Sequence, residues 1–120
     1  MKKNIFCLFF VLAVLTGLIL SSCGEIEELE NGIGTVILLN NSSNVIIGYW
    51  SLEKNRKMVW DTHSFVYPRS SGSHQIDSGY YSIYLEEDVT GYGWITKNTL
   101  TVKKDETVEI KFPSDFIFLN

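Results

Sequence analysis

From residue 34 onward, apolar and polar positions alternate in short runs, separated by polar breaks that carry glycine or proline. The clearest run is Thr107–Phe112, where Val108, Ile110 and Phe112 fall on one side of an extended chain and Thr107, Glu109 and Lys111 on the other. Residues 80–86 alternate in the same way, with Tyr81, Ile83 and Leu85 opposed to Tyr80, Ser82 and Tyr84. Two earlier runs, 34–40 and 45–51, are apolar on both faces over part of their length, which suits the inside of two packed sheets. The polar cluster 40–44 lies between them as a turn signal, so they are expected to form a hairpin. Residues 52–57 are charged and read as a loop, and 58–66 as a weaker strand broken by 67–72 with Pro68 and Gly72. A short strand at 73–76 and a turn at 77–79 precede the Tyr-rich run. After it come one long or two short strands over 94–102, a charged turn at 103–106 and a last strand within 116–119. Strands at roughly ten-residue spacing, with no helical period, predict an all-β domain over 34–120. The expected form is a single small antiparallel β-sandwich of about seven or eight short strands, with an open barrel as the alternative.

Composition sharpens this picture. Beyond residue 22 there is no alanine, the best helix former, but there are 7 Val, 10 Ile and 7 Thr. The same stretch has 8 basic and 14 acidic side chains, a balance that argues against nucleic acid and against a polybasic membrane contact. The two cysteines, Cys7 and Cys23, both precede the domain, so it has no disulfide framework.

The first residues follow a different logic. Lys2 and Lys3 are followed by an apolar run over 5–20, shorter than the roughly 20 residues that a stable spanning helix needs. It ends in Leu20-Ser21-Ser22-Cys23, which resembles the lipobox of bacterial lipoproteins at all four positions. The resemblance implies a signal peptide over 1–22, cleavage before Cys23, and covalent lipid on the Cys23 sulfur that holds the chain on a membrane. Residues 23–33 then form a lipidated tether with glutamates at 25, 27, 28 and 30. This stretch resembles the acidic tags that carry some outer-membrane lipoproteins to the cell surface. Gly24 is not the aspartate that retains enterobacterial lipoproteins at the inner membrane, so the outer membrane is the expected address.

A further resemblance covers 67–112. The strand Gly79-Tyr80-Tyr81-Ser82-Ile83, followed by Leu100-Thr101-Val102, a charged turn and Thr107-Val108-Glu109-Ile110, looks like the second half of PEGA-type and related immunoglobulin-like domains. The P-E-G-A signature itself is absent. Such domains host binding and scaffold roles more often than chemistry.

Candidate chemistry is sparse. Asp61, His63 and Ser64, or Ser73, His74 and Asp77, offer the residue types of a hydrolase, yet neighbours in a strand alternate faces and no G-x-S-x-G elbow surrounds either serine. His63 and His74 match no zinc spacing, and Glu86, Glu87 and Asp88 lack the alternation of a calcium loop. Catalytic, metal and cofactor residues are therefore not expected, apart from the lipid on Cys23. The aromatics stand out. Trp50, Trp60, Trp94 and Tyr84 are candidate ligand-binding rings if they lie exposed on one face, and Tyr49 and Trp50, being adjacent, must face opposite ways. The expected function is that of a non-enzymatic interaction or structural module at the cell envelope, with an envelope protein or glycan as partner. A glycan- or peptide-binding module using these rings is the first alternative. An inhibitor of an envelope enzyme, presenting 67–72 or 86–93 as its reactive loop, is the second.

Overall fold

The computed structural model describes residues 29–119. The expected signal peptide, Cys23 and most of the expected tether lie outside the described residues. Among the described residues, nine strands and no helix form two facing sheets, an all-β sandwich as the alternation predicts. In chain order they are β1 (Ile33–Asn40), β2 (Ile47–Lys54), β3 (Lys57–Thr62), β4 (Ser71–Asp77), β5 (Gly79–Glu87), β6 (Gly93–Thr96), β7 (Leu100–Val102), β8 (Thr107–Phe112) and β9 (Phe116–Phe118). The smaller sheet has the order β4-β1-β8, and the larger β3-β2-β5-β6-β9, with β7 also on β5. All strand pairs are antiparallel except β1 with β8.

The expected hairpin between the first two strands is not formed, because β1 and β2 belong to different sheets. Asn40 explains the crossing. Its side chain is buried to 1% exposure at the end of β1. The Asn40 amide donates to the carbonyls of Val45 (2.7 Å) and Val66 (3.0 Å), and its oxygen accepts from the Ser42 backbone N–H and hydroxyl. The polar cluster is thus a pinned corner between sheets.

The loop expected at 52–57 is also replaced by structure. β2 runs on to Lys54 and turns through Asn55 and Arg56, both at positive φ (54° and 66°), directly into β3. Two consecutive left-handed residues make the tight turn whose twist matches a hairpin. The charges that suggested a loop belong to exposed strand ends. β3 then stops at Thr62, and Val66 is held apart by a lone bridge to Ile47. The 94–102 stretch resolves into β6 and β7 on one edge of β5. In the gap between them the Ile83 N–H donates to the buried Thr96 hydroxyl at 3.1 Å.

The core is one layer between the sheets, with Val36 and Leu38 of β1, Trp50 and Leu52 of β2, Tyr81, Ile83 and Leu85 of β5, and Phe112 of β8. The predicted alternations of β5 and β8 hold residue by residue. Gly34 lets β1 pass close to the β7–β8 turn, since a Cβ there would meet the Lys103 carbonyl oxygen and lie 2.6 Å from Val102.

One side of the sandwich is closed by edge strands β3 and β4, where Trp60 stacks on His74 (centroids 3.8 Å apart, planes 14° apart). Burial lowers the His74 pKa below its ordinary value. The unfolded chain therefore takes up a proton near pH 6.5 before the folded one does. Stability is full above that pH and falls as pH drops through it, levelling once the folded ring is itself protonated. The denaturant midpoint is expected to decline between about pH 7.5 and 5, and to decline less in His74→Phe. Equal slopes in the two proteins would place that titration elsewhere.

Candidate functional surface

The four aromatic candidates do not share a face. Register places Trp50 of β2, Leu85 of β5 and Trp94 of β6 side by side, and side chains paired across strands point the same way. That way is inward. Trp50 is 1% exposed and meets Trp60 edge-on at 4.8 Å. Trp60 pairs with Leu52 and is half-buried against the core. Trp94 is half-buried too, edge-on to Phe112 at 5.0 Å and tilted against Phe118 at 5.1 Å. The tryptophans fill and fringe the core, and only Tyr84 lies on the outer face of the larger sheet.

That outer face holds a cluster that the spacing of residues did not single out. Tyr49 on β2 and Tyr84 on β5 are 6.2 Å apart with planes at 64°, and the His63 ring, just after β3, lies 4.8 Å from Tyr49 at 50°. Each tyrosine is tied to a carboxylate. The Tyr49 hydroxyl donates to Asp61 Oδ2 at 3.2 Å, and the Tyr84 hydroxyl to Glu86 Oε2 at 2.8 Å. Gly93 makes room for the second ring, because a Cβ there would lie 2.9 Å from the Tyr84 hydroxyl.

The electrostatics agree with this geometry. Burial first, then the Glu86 hydrogen bond and charge, push Tyr84 up to about 12. Burial also raises Tyr49; Ser51 opposes the rise, and Asp61 and Glu86 add to it. Both hydroxyls stay protonated as donors.

The hydrolase sets do not assemble. Asp61 engages Tyr49, His63 packs on Tyr49, and the Ser64 hydroxyl takes a hydrogen bond from Thr62. His74 turns inward onto Trp60, while Ser73 and Asp77 are exposed. Among the described residues no three His, Cys, Asp or Glu side chains converge to hold a metal ion.

The two candidate reactive loops lie at one end of the sandwich. Val66, bridged to Ile47, anchors the first, with Phe65 and Tyr67 projecting on either side at 49% and 52% exposure. The second is closed on itself: Glu87 N–H donates to the Tyr92 carbonyl, Gly91 N–H to the Glu87 carbonyl, and the Thr90 hydroxyl to Glu87.

The chain enters the domain at the opposite end. There the Glu30 carbonyl accepts from the Ser78 hydroxyl (2.9 Å), and its carboxylate pairs with Lys104 (3.3 Å). No protein-family model matches the chain, and no curated protein or solved structure matches it either.

Proposed function

We propose that the chain is a lipid-anchored, non-enzymatic interaction module of the bacterial cell envelope, attached through Cys23 to the outer membrane and docking a partner on the outer face of its larger sheet. The observation that carries the docking half is the ring cluster of Tyr49, Tyr84 and His63. These rings lie on a solvent-facing side of the sheet, where they do no core packing, and each tyrosine is oriented by a carboxylate. Rigid aromatic area of this kind binds at low entropic cost.

Support for the anchoring half comes from the Leu20-Ser21-Ser22-Cys23 pattern and the acidic stretch after it. The placement of the two ends agrees with it. On β5, Tyr84 lies five residues from Gly79, which starts the strand at the end where the chain enters, a rise of roughly 16 Å. A domain held at that end keeps the ring cluster clear of the membrane. Two or more acyl chains, each methylene adding about 0.8 kcal/mol, give stable attachment.

Mass spectrometry of the membrane fraction tests the anchor. Wild type is expected to begin at Cys23 with the added mass of two or three acyl chains, and Cys23→Ala to lose that mass and leave the membrane. A wild-type chain that starts elsewhere and carries no lipid would overturn it.

A further inference from the structure

We propose that the outer-face cluster recognises a cationic partner: a protein surface or extended peptide that places a lysine or arginine side chain among Tyr49, Tyr84 and His63, with Asp61 and Glu86 as counter-charges. This rests on reading the face as a docking surface, and it adds the chemistry of what docks.

Three observations converge. The first is the shape of the aromatic site. Two tyrosine rings inclined at 64° and an imidazole inclined at 50° to one of them form a contiguous aromatic patch. Faces of electron-rich rings attract a cation within about 6 Å, more so when flanking groups exclude water.

The second is the carboxylates. Each takes a single tyrosine hydrogen bond, on Asp61 Oδ2 and Glu86 Oε2. Among the described residues neither pairs with a lysine or arginine; the ion pair found there joins Glu30 and Lys104 at the other end. A guanidinium or ammonium group supplies what they lack, and the planar guanidinium also stacks on rings.

The third is the distribution of charge. Of the eight basic side chains in the described domain, Lys54, Arg56, Lys57, Lys103 and Lys104 gather at the end where the chain enters, at the β2–β3 turn and the β7–β8 turn; Lys97 follows β6, and Arg69 and Lys111 lie towards the other end, on the loop before β4 and on the smaller sheet. The half of the larger sheet that holds the rings runs instead into Glu87 and Asp88 at the end of β5. Within the larger sheet, a ring-bearing half that runs into carboxylates is complementary to a basic partner and turns away an acidic one.

The test uses the lipidated protein in neutral detergent, titrated with fluorescent hexa-arginine and hexaglutamine peptides and with tetra-N-acetylglucosamine. Hexa-arginine is expected to bind at least tenfold more tightly than either other probe and to weaken as salt rises. Asp61→Asn with Glu86→Gln is expected to weaken it about tenfold, and Tyr49→Leu with Tyr84→Leu by a similar factor, all with unchanged circular dichroism. The control Asp105→Asn with Glu109→Gln, away from the face, is expected to leave binding unchanged. Equal weakening by the control would reduce the effect to bulk charge and overturn the proposal. So would preferential binding of the sugar or of hexaglutamine.

A photo-crosslinking residue in place of the exposed Phe65, two residues from His63, used in cells, separates this failure from failure of the docking reading. A crosslink to a neutral or acidic partner surface overturns the charge assignment alone. No crosslink together with no peptide binding removes both.

Discussion

Trp50→Ala is expected to destabilise the domain by about 3–5 kcal/mol, the range for deleting a large buried aromatic. The ring is 1% exposed and belongs to the core between the sheets. Trp60 meets it edge-on, and its indole reaches across to the smaller sheet, where a Cβ on Gly72 of β4 would lie 3.5 Å from Trp50 Cζ2. Alanine would therefore remove a contact that spans both sheets and leave a cavity walled by backbone on one side. At roughly 4–8 °C per kcal/mol for a domain of this size, the melting temperature would fall by tens of degrees. Urea denaturation of the two proteins measures the loss directly. A change below about 1 kcal/mol would contradict a core role for the ring, since that is less than a single buried methyl-scale truncation often costs. The same experiment separates packing from recognition. At temperatures where the variant remains folded, probe binding on the outer face is expected to persist.

Why the tryptophans are a misleading guide to the surface is a matter of phase. Alternation shows that Tyr49 and Trp50 face opposite ways, but it does not say which one faces in. That is settled across strands, where Trp50 sits beside Leu85 and Leu85 beside Trp94, so a single buried leucine fixes two tryptophans as inward. β5 and β8 are legible because one of their faces is plainly apolar and the other plainly polar. β2 is not: its pattern of burial breaks alternation, with Trp50, Ser51 and Leu52 all buried. Ser51 is covered although it belongs to the outer face, where register aligns it with Asp61 and Tyr84. The Tyr49–Tyr84–His63 cluster draws on three strands or their ends, and no local spacing contains such information. The partial signal that did exist was Tyr84 itself, on the face of β5 opposite its apolar set. The tight turn at Asn55 and Arg56 was hidden for a different reason. Glycine usually marks the second left-handed position, and here an arginine takes it at φ 66°.

Asn40 carries the corner where the expected hairpin failed, and its replacement separates two physical causes. In Asn40→Ala the carbonyls of Val45 and Val66 lose their side-chain donor, and the Ser42 N–H loses its acceptor. The Val45 carbonyl keeps the Ser42 hydroxyl as a donor and the Val66 carbonyl keeps the Ile47 N–H, so at about 0.5–1.5 kcal/mol for each hydrogen bond lost the expected loss is roughly 2–4 kcal/mol. Asn40→Asp keeps the shape but sets a carboxylate oxygen where the amide donated to two carbonyl oxygens. At neutral pH it is expected to be less stable than the alanine variant, because repulsion and desolvation add to the lost bonds. Protonation would restore one donor. The folded-state pKa of such an aspartate would be raised above the ordinary value near 3.9, so its stability relative to wild type should be greatest at low pH and lost as pH rises. Denaturant midpoints of wild type, Asn40→Ala and Asn40→Asp, compared at about pH 4 and 7, measure this ordering and its change with pH. If Asn40→Asp matched wild type at neutral pH, the amide would not be donating to those carbonyls. The crossing between the sheets would then have to be held by the backbone bonds of Asn40 to Ser70 and of Asn41 to Phe112.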